Sequence, residues 1–217
     1  MILSEPTAGL LSPTLAKLLR VLLGGTTPKS GRELARMAAI SSAQGNALLR
    51  RLTDLGIALE TEQPPGKLYE INQSHILVPQ LRAILQGLDS IFEELKEQLV
   101  ELPTVPIIAV LFGSVMRKED HEASDLDLYL VFDDSVPLDK GQLLESTANL
   151  SEDFFTRTGN SLNVMVQKMS DLRSNFVARS RFLENLLSDG RAIKGWDVLN
   201  QLKEEYQWSI TPHSQSN

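Results

Sequence analysis

Between residues 12 and 55 the apolar positions recur three and four apart, the spacing of helices with one buried face. Leu15, Leu18, Leu19 and Leu22 follow a Ser12-Pro13 start signal and end at Gly24-Gly25, which predicts a first helix. Ser30, with Glu33 three residues on, predicts a capping box for a short second helix through Met37. A third helix is expected from Ser41-Ser42 to about Leu55, closed by Gly56, with Ala43, Ala47, Leu48, Leu52 and Leu55 facing inward. The period then shortens. Ile57 to Glu62 and Lys67 to Ile71 read as two strands around Gln63-Pro64-Pro65-Gly66.

Residues 76–100 return to helical spacing. Leu77, Leu81, Ile84, Leu88, Ile91, Leu95 and Leu99 mostly alternate four and three apart, which predicts one long amphipathic linker helix whose heptad-like seam either packs on its own chain or, the favoured reading, forms a homodimer. Past Pro103 and Pro106, Ile107 to Phe112 is a continuous apolar run, as in a strand buried on both faces. A polar stretch leads to a second strand from Asp125 to Phe132. Leu138 to Arg157 reads as helix, Leu162 to Gln167 as a third strand and Ser170 to Leu187 as helix, with fraying from about Ser209. The predicted fold class is α+β in two domains. Residues 10–75 form a winged helix-turn-helix, 76–100 a linker and dimerisation helix, and 101–208 an α/β domain with a small mixed sheet.

Composition narrows the function classes. No run of 18 apolar residues exists and no basic, apolar, small-residue leader opens the chain, so neither a membrane span nor a secretory signal is expected. The absence of cysteine excludes disulfides and thiolate metal sites and suits the cytoplasm. His75, His121 and His213 are scattered, which disfavours a histidine zinc site. The formal charge of −7 is unevenly spread: residues 10–75 carry a net +3 and residues 101–217 a net −7. A mildly basic front suits DNA, and an acidic back suits a divalent cation.

The chemistry is concentrated in Leu111-Phe112-Gly113-Ser114 and, ten residues later, Asp125-Leu126-Asp127-Leu128. Side chains alternate along a strand, so Asp125 and Asp127 share one face while Leu126, Leu128 and Leu130 point to the core. Two carboxylates one strand-step apart make a hard oxygen site of the kind Mg²⁺ or Mn²⁺ accepts together with phosphate oxygens. Gly113 lets the backbone approach a phosphate, Ser114 can donate to it, and a helix starting there would add its dipole.

This arrangement resembles the minimal nucleotidyltransferases of the DNA polymerase β-like superfamily, which carry a Gly-Ser turn, about ten residues, and Asp-x-Asp on a strand. Gly113, Ser114, Asp125 and Asp127 match. Arg117 sits where a basic residue often follows Gly-Ser, Ser124 supplies the frequent Ser-Asp pair, and Ser188-Asp189-Gly190-Arg191-Ala192-Ile193 resembles the closing turn and last strand. The resemblance covers roughly residues 100–200. It implies a nucleoside triphosphate substrate bound by Gly113, Ser114 and Arg117, with metal on Asp125 and Asp127. It also implies transfer of a nucleoside monophosphate to a hydroxyl on a protein or small molecule, with pyrophosphate released. The third carboxylate of such enzymes, on a later strand, is replaced here by Asn163, which has no charge and is no useful base. Losing that charge weakens the activating cation site and slows chemistry by the ~10²–10⁴-fold that general bases contribute. Nucleotide binding can survive that loss.

In the first domain Ser42, Gln44, Asn46, Arg50 and Arg51 are the polar groups of the third helix. The hydroxyl and amides near its start suit base edges in double-stranded DNA, and the arginines suit phosphates. Lys67, beside the Pro64-Pro65-Gly66 tip, is placed for an adjacent backbone. Arg32 to Ala58 resembles regulators of the broad MarR/ArsR type. Three functions follow as expectations: a DNA-binding nucleotidyltransferase, a degenerate nucleotide sensor that changes DNA affinity without chemistry, and the transferase half of a toxin–antitoxin pair that modifies a partner protein.

Overall fold

A Ser side chain opens each of the first three helices. In the computed structural model, which describes residues 1–138 and 141–208, Ser12 caps α1 (Pro13–Gly24), with Pro13 as the first helical residue. A two-residue strand β1 (Lys29–Ser30) leads to α2 (Gly31–Met37), where Ser30 accepts from the Glu33 backbone N–H. The reciprocal capping box expected there is found instead at Ser41 and Gln44, at the start of α3 (Ser42–Asp54). The Glu33 carboxylate faces Lys29 at 3.6 Å. β2 (Ala58–Gln63) and β3 (Gly66–Ile71) pair antiparallel, and β1 pairs with the other edge of β3, giving the order β1-β3-β2.

The buried face of α3 differs from the one expected. Gly45, Leu49 and Leu52 are buried, while Ala43, Ala47 and Leu55 are exposed, Leu55 to 55%. Gly45 sets this phase: a Cβ there would lie 2.7 Å from the Ala35 Cβ, so α3 crosses α2 at its glycine. Leu18, Leu19, Leu22, Leu34, Leu49 and Leu52 form the common core, closed by Val78 and Leu85 of α4 (Val78–Gln86).

The single linker helix over residues 76–100 is not formed. Gly87, at φ +53, separates α4 from α5 (Leu88–Val100). The two helices belong to different compact units: Glu5–Gly87 is one, and Met1–Ser4 with the chain from Leu88 onward is the other. Ile91, Leu95 and Leu99 of α5 are buried in their own unit's core, so the seam expected to face a second copy is half consumed inside the chain.

That unit is built on β4 (Ile108–Phe112), a one-turn helix α6 (Ser114–Arg117), β5 (Leu126–Phe132), α7 (Gln142–Thr158) and β6 (Leu162–Lys168). Then come α8 (Met169–Ala178), α9 (Arg181–Asp189), β7 (Arg191–Lys194) and α10 (Trp196–Glu205). The one helix expected from Ser170 to Leu187 is two, because Arg179 turns left-handed and Ser180 caps α9. The expected fraying from Ser209 lies outside the described residues.

The sheet runs β6-β5-β4-β7, with β5 and β6 parallel and the other pairs antiparallel. Both faces are covered, which is why β4, and β5 apart from Asp127, are built from apolar and aromatic residues. Leu126, Leu128, Leu130 and Phe132 pack with α5 and α7 residues such as Leu95 and Leu150. Tyr129 and Val131 pack on the opposite face with α8, α9 and α10 residues such as Phe176, Leu186 and Leu202. No helix among the described residues is long and apolar enough to cross a membrane.

Candidate nucleotide and metal site

Strand alternation delivers the two aspartates. Leu126 and Leu128 are fully buried, and Asp127 between them projects from the opposite face, half-buried. Asp125 stands just before β5, exposed and in phase with Asp127. The parallel register sets Asn163 of β6 opposite Asp127. The Asn163 amide Nδ2 donates to Asp125 Oδ2 at 3.3 Å and to Asp127 Oδ1 at 3.2 Å. Asp125 at the entry to β5, Asp127 within it and Asn163 of β6 thus converge on one point.

The Gly-Ser turn closes against the same point. Gly113 has φ +85, and a Cβ on it would lie 2.3 Å from Asp127 Oδ2. The turn therefore touches the carboxylate, and only glycine permits the approach. The helix that follows, α6, is a single turn, so the dipole contribution expected from a helix starting at Ser114 is small.

Electrostatics reflect the crowding. Burial, above all, holds the Asp127 carboxyl above the ordinary aspartate range, and the neighbouring Asp125 charge adds to the rise; the Asn163 amide and the Arg117 charge pull the other way. Arg117 is turned to other partners. Its Nε donates to Glu119 Oε2 at 2.7 Å, and its guanidinium reaches Asp189 Oδ2 at 3.4 Å. Glu119 and Asp189 were not among the expected site residues, although Asp189 lies in the Ser188-Asp189-Gly190 turn. Among the described residues no group of three or more His, Cys, Asp or Glu side chains is arranged to hold a metal ion. Asp125 and Asp127 are close enough to share one amide donor, and a cation coordinated by both would take that position. The donor set fits one hard divalent ion and lacks a third carboxylate.

Residues 93–195 match the family model of polymerase beta nucleotidyltransferases. The match begins within α5 and ends after β7, so it takes in the Gly113-Ser114 turn, both aspartates and Asn163. Solved structures are similar at low identity. One, of a toxin–antitoxin with AMP-PNP, is 14% identical and covers 54% of this chain and 92% of its own, with a TM-score of 0.34. A mutant of the toxin–antitoxin MntA–HpeT is 12% identical over the same shares, with a TM-score of 0.33. TrmBL2, an archaeal chromatin protein, is 16% identical, with coverage of 85% and 73% and a TM-score of 0.30. No curated protein matches the chain.

The residues expected to meet DNA lie in the other unit. Ser42, Asn46, Arg50 and Arg51 of α3 are exposed, and so are Gln44 and Lys67. A cleft of about 630 Å³ runs between α3 and the β2–β3 hairpin, lined among others by Arg32, Asn46, Arg50, Lys67 and Tyr69. Two of the candidates are already engaged. Gln44 completes the cap of α3, and Lys67 is clasped by Glu60 and, at 3.3 Å, by Glu62.

Proposed function

We propose that the nucleotidyltransferase-like unit binds a nucleoside triphosphate with one divalent cation. The observation that carries this reading is the convergence of Asp125, Asp127 and Asn163 beside a glycine turn pressed against Asp127. Asp125 and Asp127 would hold Mg²⁺ or Mn²⁺, which neutralises phosphate charge when bound. Gly113 and Ser114 offer a close backbone approach and a hydroxyl donor to the phosphates. Arg117 adds positive charge once released from Glu119 and Asp189. Asn163 orients both carboxylates and cannot accept a proton. A transferred nucleotidyl group would go to a hydroxyl of a protein or small molecule, and loss of the third carboxylate makes that step slow.

The same substitution favours a second reading, in which the site senses nucleotide without turnover. In both readings the helix–hairpin unit is a winged helix-turn-helix that binds double-stranded DNA. Arg50 and Arg51 would lie on phosphates, while Ser42 and Asn46 would lie nearer to base edges. Its exposed arginines and the cleft beside α3 support this. Two copies of the chain would pair through Leu77 and Ile84, the exposed part of the leucine seam. The cysteine-free composition fits the cytoplasm.

Calorimetric titration with each nucleoside triphosphate, with and without Mg²⁺, followed by product analysis, tests the proposal. Metal-dependent binding that is lost in Asp125→Ala and Asp127→Ala is the expected result. Pyrophosphate release with an acceptor distinguishes enzyme from sensor. Absence of any metal-dependent nucleotide binding would refute both.

A further inference from the structure

The first four residues do not belong to the unit that follows them. Met1–Ser4 join the nucleotidyltransferase-like unit, and the chain enters the helix–hairpin unit only at Glu5. Leu3 is 0% exposed and shares a core with Leu126, which lies between the two aspartates, and with Leu162, which precedes Asn163.

Polar contacts tie the same segment to the loop that leads into Asp125. The Ser4 backbone N–H donates to Asp120 Oδ2 at 3.0 Å. Asn160, 3% exposed, is the hub. Its Nδ2 donates to the carbonyls of Met1 at 2.9 Å, Glu122 at 3.2 Å and Ser124 at 2.9 Å. The Met1 nitrogen donates back to Asn160 Oδ1 at 2.7 Å and to the Glu122 carbonyl at 3.1 Å. Ser124 is the residue before Asp125, and Asn160 stands three residues before Asn163. The loop also has bonds of its own, at its start from Glu119 N–H to the Ser114 carbonyl, at its end from the Asn163 amide to Asp125, and within its turn. There His121 N–H donates to Ser124 Oγ, and Ser124 N–H donates to the His121 carbonyl. One further bond, from Leu126 N–H to the Ser161 carbonyl, fixes its exit.

We propose that residues 1–4 are a positioning strap for the cation and nucleotide site. Docked, the strap holds residues 118–125 so that Asp125 stays in reach of the Asn163 amide. Undocked, it leaves a vacant apolar slot at Leu3 and takes away the Met1 nitrogen from the Glu122 carbonyl and Asn160 Oδ1 and the Ser4 N–H from Asp120, and the loop loosens. Occupancy of the site and docking of the strap then favour each other, by the reciprocity of linked equilibria. This coupling rests on Asp125 and Asp127 being the nucleotide site; the hold on the loop does not.

The chain has no cysteine, so Leu3→Cys places a single thiol in the buried slot. Its rate of alkylation by iodoacetamide reads strap opening. Mg²⁺ with ATP should slow alkylation roughly tenfold, within the range of couplings between sites, and Asp125→Asn in the same background should abolish the slowing. If calorimetry shows ATP bound to the Leu3→Cys protein and alkylation is unchanged, the coupling is refuted. If ATP does not bind to the wild-type chain either, the nucleotide reading falls, and a ligand-free measurement decides the strap. Hydrogen exchange at the amides of His121, Ser124 and Leu126 should be roughly fivefold faster in Asn160→Ala and in the milder Leu3→Ala, with the α1–α3 core unchanged. Equal exchange at those amides in a folded variant refutes the strap.

Discussion

Asn163 and Asp127 stand directly opposite each other across the parallel β5–β6 pair, and the asparagine donates its amide hydrogen to the aspartate over 3.2 Å. A carboxylate at position 163 would instead repel both aspartates unless a cation lay among them. The asparagine therefore lets the two aspartates stand together without a cation, and under the proposed function it would lack the charge and basicity that a second cation and a proton transfer need.

Restoring that charge is the most direct test. Asn163→Asp should tighten Mn²⁺ binding and raise the number of bound ions from one to two, read by calorimetry or by paramagnetic resonance of free Mn²⁺. With an acceptor present, pyrophosphate release should rise by up to ~10²–10⁴-fold, the usual contribution of a general base. Unchanged metal affinity would mean that position 163 does not face the cation.

Asp127 is held above the ordinary aspartate range by burial first and by Asp125 next. A group whose folded pKa is raised contributes stability that is complete below its unfolded value and lost as pH rises through the folded one. At neutral pH the ionised carboxylate is thus a liability to the cation-free fold. Asp127→Asn should raise the Tm measured in EDTA at pH 7 by roughly 1–3 °C. The gain should shrink toward pH 3, and nucleotide binding should be lost. A lower Tm at pH 7 would contradict the assigned repulsion.

Gly113→Ala meets two obstacles at once, a φ of +85 and a Cβ placed 2.3 Å from Asp127 Oδ2. With ψ −161 that backbone lies in a region essentially reserved to glycine, which alone costs about 1–3 kcal/mol for an L-residue. Thermal denaturation should show the loss, and metal-dependent ATP binding should fall further than stability does, because Asp127 must move. Full binding in the alanine variant would show that the turn is not part of the site.

The arginines of α3 should act without sequence preference. Arg50→Ala and Arg51→Ala should each weaken binding to unrelated duplexes alike and make the plot of log affinity against log salt shallower by about 1. Lys67→Ala should change the slope less, because Glu60 and Glu62 already neutralise that lysine.

The clasp on Lys67 carries its own pH signature. Its hydrogen bond to Lys67 depresses the Glu60 carboxyl, so that contribution exists above the ordinary glutamate range and fades as pH falls through the depressed value. Lys67 is raised, by Glu60 first and Glu62 next, so its contribution fades only as pH climbs through the raised value. The Lys67 clasp should therefore persist through neutral pH and break in acid. Carboxyl chemical shifts of Glu60, compared between wild type and Lys67→Met, check this: the variant should titrate at a higher pH.

Much was legible along the chain because local rules decided it. Ser12, Ser30 and Ser41 start helices, Gly24 and Gly56 mark their ends, and the period-2 alternation around Asp127 separates core leucines from the carboxylates of the candidate site whatever the rest of the chain does. The Gly113-Ser114 and Asp125-Leu126-Asp127 spacing likewise survives translation into the fold, since a strand and a tight turn hold near neighbours in place. Other features were decided only when distant segments met. The phase of α3 follows from Gly45 crossing Ala35, the leucine seam divides because Gly87 turns left-handed and Ile91, Leu95 and Leu99 find a sheet, and Arg117 meets Asp189 from 72 residues away. The docking of Leu3 and the hub at Asn160 belong to the same class. Periodicity records which side of an element is apolar; which partner covers that side, and which polar group ends beside which, depends on contacts between residues far apart in the chain.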